Sequence, residues 1–186
     1  RRHGTRRLRQ NCTDTIKIKE YAIANPLVEL GQYGQSPWLD NISRGLIASG
    51  QLRALIDDDG LKGVTSNPAI FEKSITGSTD YDPAIEQLAA QNKTAMDIYE
   101  SLVMEDIQSA ADVLRSVYEA TNGRDGFVSL EVSPYLADDT EGTIEEGRRL
   151  WQAVDRNNVM IKVPATEAGI PAVRQLISEG LNINVT

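Results

Sequence analysis

The chain has one cysteine, one histidine, no run of 18 apolar residues, and too few cations to balance its acids. A lone cysteine, Cys12, excludes an internal disulfide framework and fits a reducing compartment, from which a cytoplasmic location is expected. The lone histidine, His3, has no partners for a metal site or a catalytic triad, so neither residue is given a role and no metal is expected. The missing apolar run excludes a transmembrane helix. Lys and Arg number 19 against 27 Asp and Glu, a formal net charge of −8. That balance argues against nucleic-acid and membrane partners and leaves room only for a local phosphate site. The densest acidic run, Asp57-Asp58-Asp59-Gly60, lacks the alternating ligands and twelfth-position Glu of a calcium loop and reads as a loop that ends a helix.

The chain's 186 residues suffice for one domain with a sizeable core. Residues 1–10 hold Arg1, Arg2, Arg6, Arg7 and Arg9. An Arg-rich, acid-poor start fits a transit peptide, but no amphipathic repeat accompanies it. Residues 1–20 are therefore read as a disordered or artefactual tail and 21–186 as the folded part. Thr186 falls inside an apparent strand, so the chain is expected to be a fragment. Its oligomeric state is not legible.

Strands and helices alternate along the folded part. A loop and short helix run from Tyr21 to Gln35, and a strand covers about 36–41. A helix over Ser43–Ile56 carries Leu46, Ile47, Leu52, Leu55 and Ile56. A strand at about 62–66 leads into Pro68, which suits the first turn of a short helix. Asp82-Pro83 opens a helix, and Thr94 opens a longer one that Asn122-Gly123 closes. A strand at 127–132, a helix at 141–156, a strand at 158–163, a helix over Thr166–Glu179 with Gly180 as its cap, and a strand from 181 complete the order. On helix 141–156, Glu145, Glu146, Arg148 and Arg149 read as a solvated face with i,i+3 and i,i+4 pairs. Strands separated by helices predict a parallel sheet with helices outside.

Within that order, three strands alternate cleanly. Val128, Leu130 and Val132 oppose Ser129, Glu131 and Ser133. Val159, Ile161 and Val163 oppose Met160, Lys162 and Pro164. Ile183 and Val185 oppose Asn182, Asn184 and Thr186. Side chains alternate faces along a strand, so each strand has one apolar and one polar face. Two shorter segments end on Asp40 and Asn67.

Lys162 stands out because it lies in an apolar, β-branched run. Burial disfavours the ammonium and lowers its pKa, which is what Schiff-base chemistry on a carbonyl substrate needs. The alternatives are a lysine at a strand end and one paired with a carboxylate. Asn67 and Asp40 also have structural alternatives, each as the N-cap of the helix that follows.

Gly63-Val64-Thr65-Ser66-Asn67-Pro68, Ser129-Leu130-Glu131-Val132-Ser133-Pro134, Met160-Ile161-Lys162-Val163-Pro164-Ala165-Thr166 and Asn182-Ile183-Asn184-Val185-Thr186 together resemble transaldolase. Asn25-Pro26-Leu27 through Ser36-Pro37-Trp38-Leu39-Asp40 is similar to the longer bacterial subclass, some members of which are fused to glucose-6-phosphate isomerase. The resemblance implies the first five strands of a truncated (β/α)8 TIM barrel. It also implies transfer of dihydroxyacetone between ketose and aldose phosphates of the pentose phosphate pathway, without a cofactor. Lys162 then matches the Schiff-base lysine, and Glu131 the acid/base carboxylate, which works through a bound water. Thr186 matches the threonine that holds that water. Asp40 matches the base for the substrate C4 hydroxyl, and Asn67 and Asn184 match the asparagines on the substrate hydroxyls. The family's phosphate-binding serine and arginine find no match in this chain. Five barrel strands also leave two open edges, so the chain alone is expected to be inactive. The alternatives are a Schiff-base aldolase that releases dihydroxyacetone and an inert fragment.

Overall fold

A computed structural model describes residues 25–186. The arginine run, His3, Cys12 and the start of the Tyr21–Gln35 segment lie outside the described residues. Helix α1 (Pro26–Leu30) is capped by Asn25, whose side chain accepts from Leu27 N. A 3-10 turn follows at Gly31–Tyr33. Five strands are β1 (Trp38–Asp40), β2 (Gly63–Thr65), β3 (Phe127–Glu131), β4 (Val159–Val163) and β5 (Ile183–Val185). They form one all-parallel sheet in the order β1-β2-β3-β4-β5. Among the described residues β1 and β5 are its edges.

Each crossover between strands is helical. Helices α2 (Arg44–Ala48) and α3 (Gln51–Asp59) join β1 to β2. Helices α4 (Pro68–Thr76), α5 (Asp82–Ala90) and α6 (Ala95–Ala120) join β2 to β3. Helix α7 (Thr140–Val154) joins β3 to β4, and α8 (Gly169–Ser178) joins β4 to β5. The long α6 is opened by a capping box between Thr94 and Asp97. Its buried residues Val103, Ile107, Ala110, Leu114 and Val117 recur every three to four positions. They share one core with Val128 and Leu130 of β3, Val132 just after it, Val159, Ile161 and Val163 of β4, Ile144 and Leu150 of α7, and Leu176 of α8. The apolar face of the sheet is thus the helix-covered face, and the alternate residues lie on the other.

Four expectations change. The helix expected over Ser43–Ile56 is two helices, because Gly50 adopts φ 79 between them. The apolar stripe survives that break because both halves pack on α6. Asp57, Asp58 and Asp59 are not a loop but the last turn of α3, which ends at Gly60 with φ 68. Asn25 donates to Asp58 O and to Asp59 Oδ1. On α7, Arg149 does pair with Glu146, but it also reaches Glu100 of α6, and Arg148 crosses to Glu179 beyond α8. The face is therefore a set of links between helices. Helix α8 starts at Gly169, whose N–H donates to Thr166 Oγ1.

Candidate active site

The strand register places three of the expected residues on one row. Glu131 of β3 is the partner of Lys162 of β4, and Lys162 is the partner of Asn184 of β5. Adjacent parallel strands lie about 4.8 Å apart, so residues in register on one face touch. Lys162 Nζ lies 3.1 Å from Glu131 Oε2, with side-chain exposures of 13% and 17% that shelter both charges. The pairing with a carboxylate that the sequence left open is therefore present, and it sits where Glu131 can take the ammonium proton.

Two serines tie this row to β2. Lys162 Nζ also donates to Ser66 O at 3.4 Å, and the buried Ser66 hydroxyl donates to Ser129 O at 2.7 Å. Asn184 Nδ2 donates to Ser129 Oγ at 2.8 Å. Lys162, Glu131 and Asn184 were expected at the site, but the supporting roles of Ser66 and Ser129 were not. Ser129 was legible from its place in the alternation. Ser66 offers its backbone carbonyl to the lysine, which no residue type signals.

Asn67 is extended (φ −153, ψ 168) and its Oδ1 accepts from Ile70 N at 2.9 Å. It caps α4, and it follows directly on the Ser66 carbonyl that holds Lys162. Thr186 lies just past β5, where its N–H donates to Val163 O and its carbonyl accepts from Ala165 N. It is two residues beyond Asn184 and on the same face, and its hydroxyl makes no hydrogen bond among the described residues. Asp40 is the last residue of β1 and is exposed. Its register partner Thr65 pairs with Ser129, and Ser129 with Met160. Asp40 thus lies one row below Lys162 and three strand spacings away, about 14 Å along the sheet. It is not the helix cap: Ser43 Oγ accepts from Leu46 N and caps α2.

Below this row, the ring of Trp38 lies against Gly63 on the neighbouring strand. A Cβ at position 63 would sit 2.3 Å from the indole, so only glycine allows the close approach. A separate cavity of about 560 Å³ opens between α4, α6 and α7. Its wall includes Glu131 but also Leu130 and Val132, and it omits Lys162. It lies on the helix side of β3. Tyr99, in the cavity wall, has its phenol pushed up by burial and then by the Glu131 and Glu72 carboxylates. Among the described residues no three His, Cys, Asp or Glu side chains group as metal ligands, and no helix is long and apolar enough to cross a membrane.

The arrangement defines a class: a parallel α/β sheet of barrel type with an amine–carboxylate pair at the C-terminal ends of its strands, where such barrels carry their sites. Residues 37–186 match the family model for transaldolase/fructose-6-phosphate aldolase. The chain is 53% identical over 162 residues to a protein named transaldolase 2 from Nostoc punctiforme, covering 87% of this chain and 42% of the relative. It is 51% identical over 164 residues to a transaldolase of Trichodesmium erythraeum, covering 88% and 43%, and 48% identical over 160 residues to one of Neisseria gonorrhoeae, covering 86% and 45%. The chain belongs to the transaldolase/fructose-6-phosphate aldolase family, and its five parallel strands are the first part of that family's TIM barrel. It spans less than half the length of these relatives.

Proposed function

We propose that the whole protein carrying this chain is a transaldolase. It moves a dihydroxyacetone unit from sedoheptulose 7-phosphate or fructose 6-phosphate to erythrose 4-phosphate or glyceraldehyde 3-phosphate, in the cytoplasm, as part of the pentose phosphate pathway. The observation that carries this reading is the Lys162–Glu131 pair on adjacent strands, both near their C-terminal ends. Glu131 takes the proton of the Lys162 ammonium, and the free amine adds to the ketose C2 carbonyl. Glu131, through a water held by Thr186, returns a proton to the departing hydroxyl as the carbinolamine becomes the iminium. Asp40 takes the C4 hydroxyl proton, and the C3–C4 bond breaks with its electrons passing into the iminium. An aldose phosphate leaves and an enamine remains on Lys162. Asn67 and Asn184 hold the hydroxyls of the three-carbon unit. Attack of the enamine on the acceptor aldehyde and hydrolysis of the new iminium complete the cycle.

The test is borohydride reduction of the full-length protein with fructose 6-phosphate. A dihydroxyacetone-sized mass is expected on Lys162 alone, and labelling at a different lysine would overturn the assignment. The family also includes fructose-6-phosphate aldolases. Product formation that depends on an added erythrose 4-phosphate acceptor separates transfer from simple release of dihydroxyacetone.

A further inference from the structure

Among the described residues Asp40 has no ion-pair partner of the kind Lys162 has. Among the described residues strand β1 is three residues long and pairs with β2. The Asp40 side chain is exposed and forms no hydrogen bond among them. A base that must meet one hydroxyl needs a fixed backbone beneath it.

The turn after Asp40 is held from outside the sheet. Ser74 Oγ on α4 donates to Ile42 O at 2.8 Å, two residues beyond Asp40. The backbone N–H of Arg44, an otherwise orphan donor in the first turn of α2, donates to Tyr81 Oη at 2.9 Å. Tyr81 Oη in turn donates to Asp106 Oδ2 at 2.8 Å. Arg44 Nε donates to Asp106 Oδ1 at 3.1 Å, and its guanidinium stacks over the Tyr81 ring at 4.9 Å. Its remaining fork reaches Glu105 at 2.6 Å. Tyr81 is fully buried, and Asp106 is 2% exposed within the apolar stripe of α6.

A buried ionic network is a poor way to gain stability, because well-packed apolar residues of similar volume often do as well or better. What it does supply is geometry: each oxygen has a directed partner, so the Arg44 backbone has one place to be. We infer that Tyr81, Asp106 and Arg44, with Ser74, are positioning residues that fix the 41–44 turn and so place Asp40 to take the C4 hydroxyl proton. The inference rests on the role given to Asp40 in the proposed function.

The experiment compares two steps in the full-length protein: capture of the Schiff base at Lys162 by borohydride, and single-turnover release of aldose phosphate from the ketose phosphate. Tyr81→Phe keeps the ring and its stacking but removes the hydroxyl. It is expected to leave capture of the intact ketose phosphate at the wild-type rate while slowing carbon–carbon cleavage on the order of 10- to 100-fold, the usual effect of a small misplacement. Added to Asp40→Asn, it should cause no further loss, because both changes act at one step. Ser74→Ala breaks the turn's independent tether without touching the buried network, and a smaller loss of the same selective kind is expected.

Unchanged cleavage in both Tyr81→Phe and Ser74→Ala overturns the inference. So does an equal fall in capture and cleavage together with the melting temperature, which would make the network a fold support only. Normal cleavage by Asp40→Asn alone removes the base from the proposed mechanism, and the inference falls with it. Normal cleavage by Tyr81→Phe beside a blocked Asp40→Asn overturns the inference and leaves the mechanism standing.

Discussion

Lys162 and Asp40 both stand near the C-terminal end of a strand, yet they are held by different means. Lys162 lies in the interior of the sheet, with a register partner on each side and a carboxylate at 3.1 Å. Asp40 ends a three-residue strand and rests on a turn pinned by side chains from α4, α6 and the Thr79–Tyr81 turn. Where strands are long and paired on both sides, backbone register alone brings functional groups together. At the short strand β1, directed side-chain bonds hold the turn that follows it. Damage in the Lys162 row should therefore strike the first chemical step, and damage at the turn after Asp40 a later one.

The largest expected effect is at the centre. In the full-length protein Lys162→Ala should abolish transfer and all borohydride-dependent labelling, since no other amine lies on the helix-free face of the described strands. Residual transfer above a few per cent would mean that another amine carries the chemistry. Next comes Glu131→Gln. The loss of a proton-transfer group typically costs ~10²–10⁴-fold in rate. The cost should fall on iminium formation and hydrolysis more than on KM, measured by presteady-state trapping. An unchanged turnover number would reduce Glu131 to a counter-ion for the lysine.

A third change affects the centre without reaching the chemistry. Asn158 is 2% exposed, and its Nδ2 donates to both Ala111 O and Gly126 O, tying α6 to the start of β3. Asn158→Ala removes two buried hydrogen bonds, a loss of about 2 kcal/mol. A lower melting temperature with unaltered kcat per folded molecule is expected. A selective loss of cleavage instead would mean that the central sheet transmits strain to Asp40, and the contrast between the two regions would not hold.

How much of this was legible in the sequence follows the same division. Lys162, Glu131 and Asn184 could be read together because period-two alternation fixes a face, and parallel strands in phase put alternate residues on shared rows. The capping role of Asn67 could be read from Asn-Pro alone. The capping alternative for Asp40 failed for a local reason: Ser43, three residues on, is the better-placed oxygen. The network around Arg44 could not be read at all. Asp106 sits 62 residues away in a helix whose other buried positions are apolar, and Tyr81 lies in a short turn. Only the packing of α2 against α6 reveals that the three meet. The break at Gly50 was hidden because an apolar stripe continues through it.

The smallest expected effect contrasts the sheltered ion pair with an exposed one. Arg148 on α7 pairs with Glu179 beyond α8 at side-chain exposures of 45% and 27%, against 13% and 17% for Lys162 and Glu131. Arg148, and after it Gln175, pull the Glu179 carboxyl down from 4.5 to about 2. A carboxylate depressed in the folded state adds stability above its unfolded pKa, and that stability is lost as the pH falls through the folded value. Glu179→Gln should therefore lower the melting temperature slightly at pH 7, as expected for a solvent-screened pair, and less still in high salt. The gap between wild type and variant should close as the pH falls from about 4.5 to about 2. Catalysis should not change, because this pair bridges outer helices and touches none of the site residues. A gap that persists at pH 2 would show that Glu179 acts through packing, and a change in transfer rate would show that the outer helices help to set the Lys162 row.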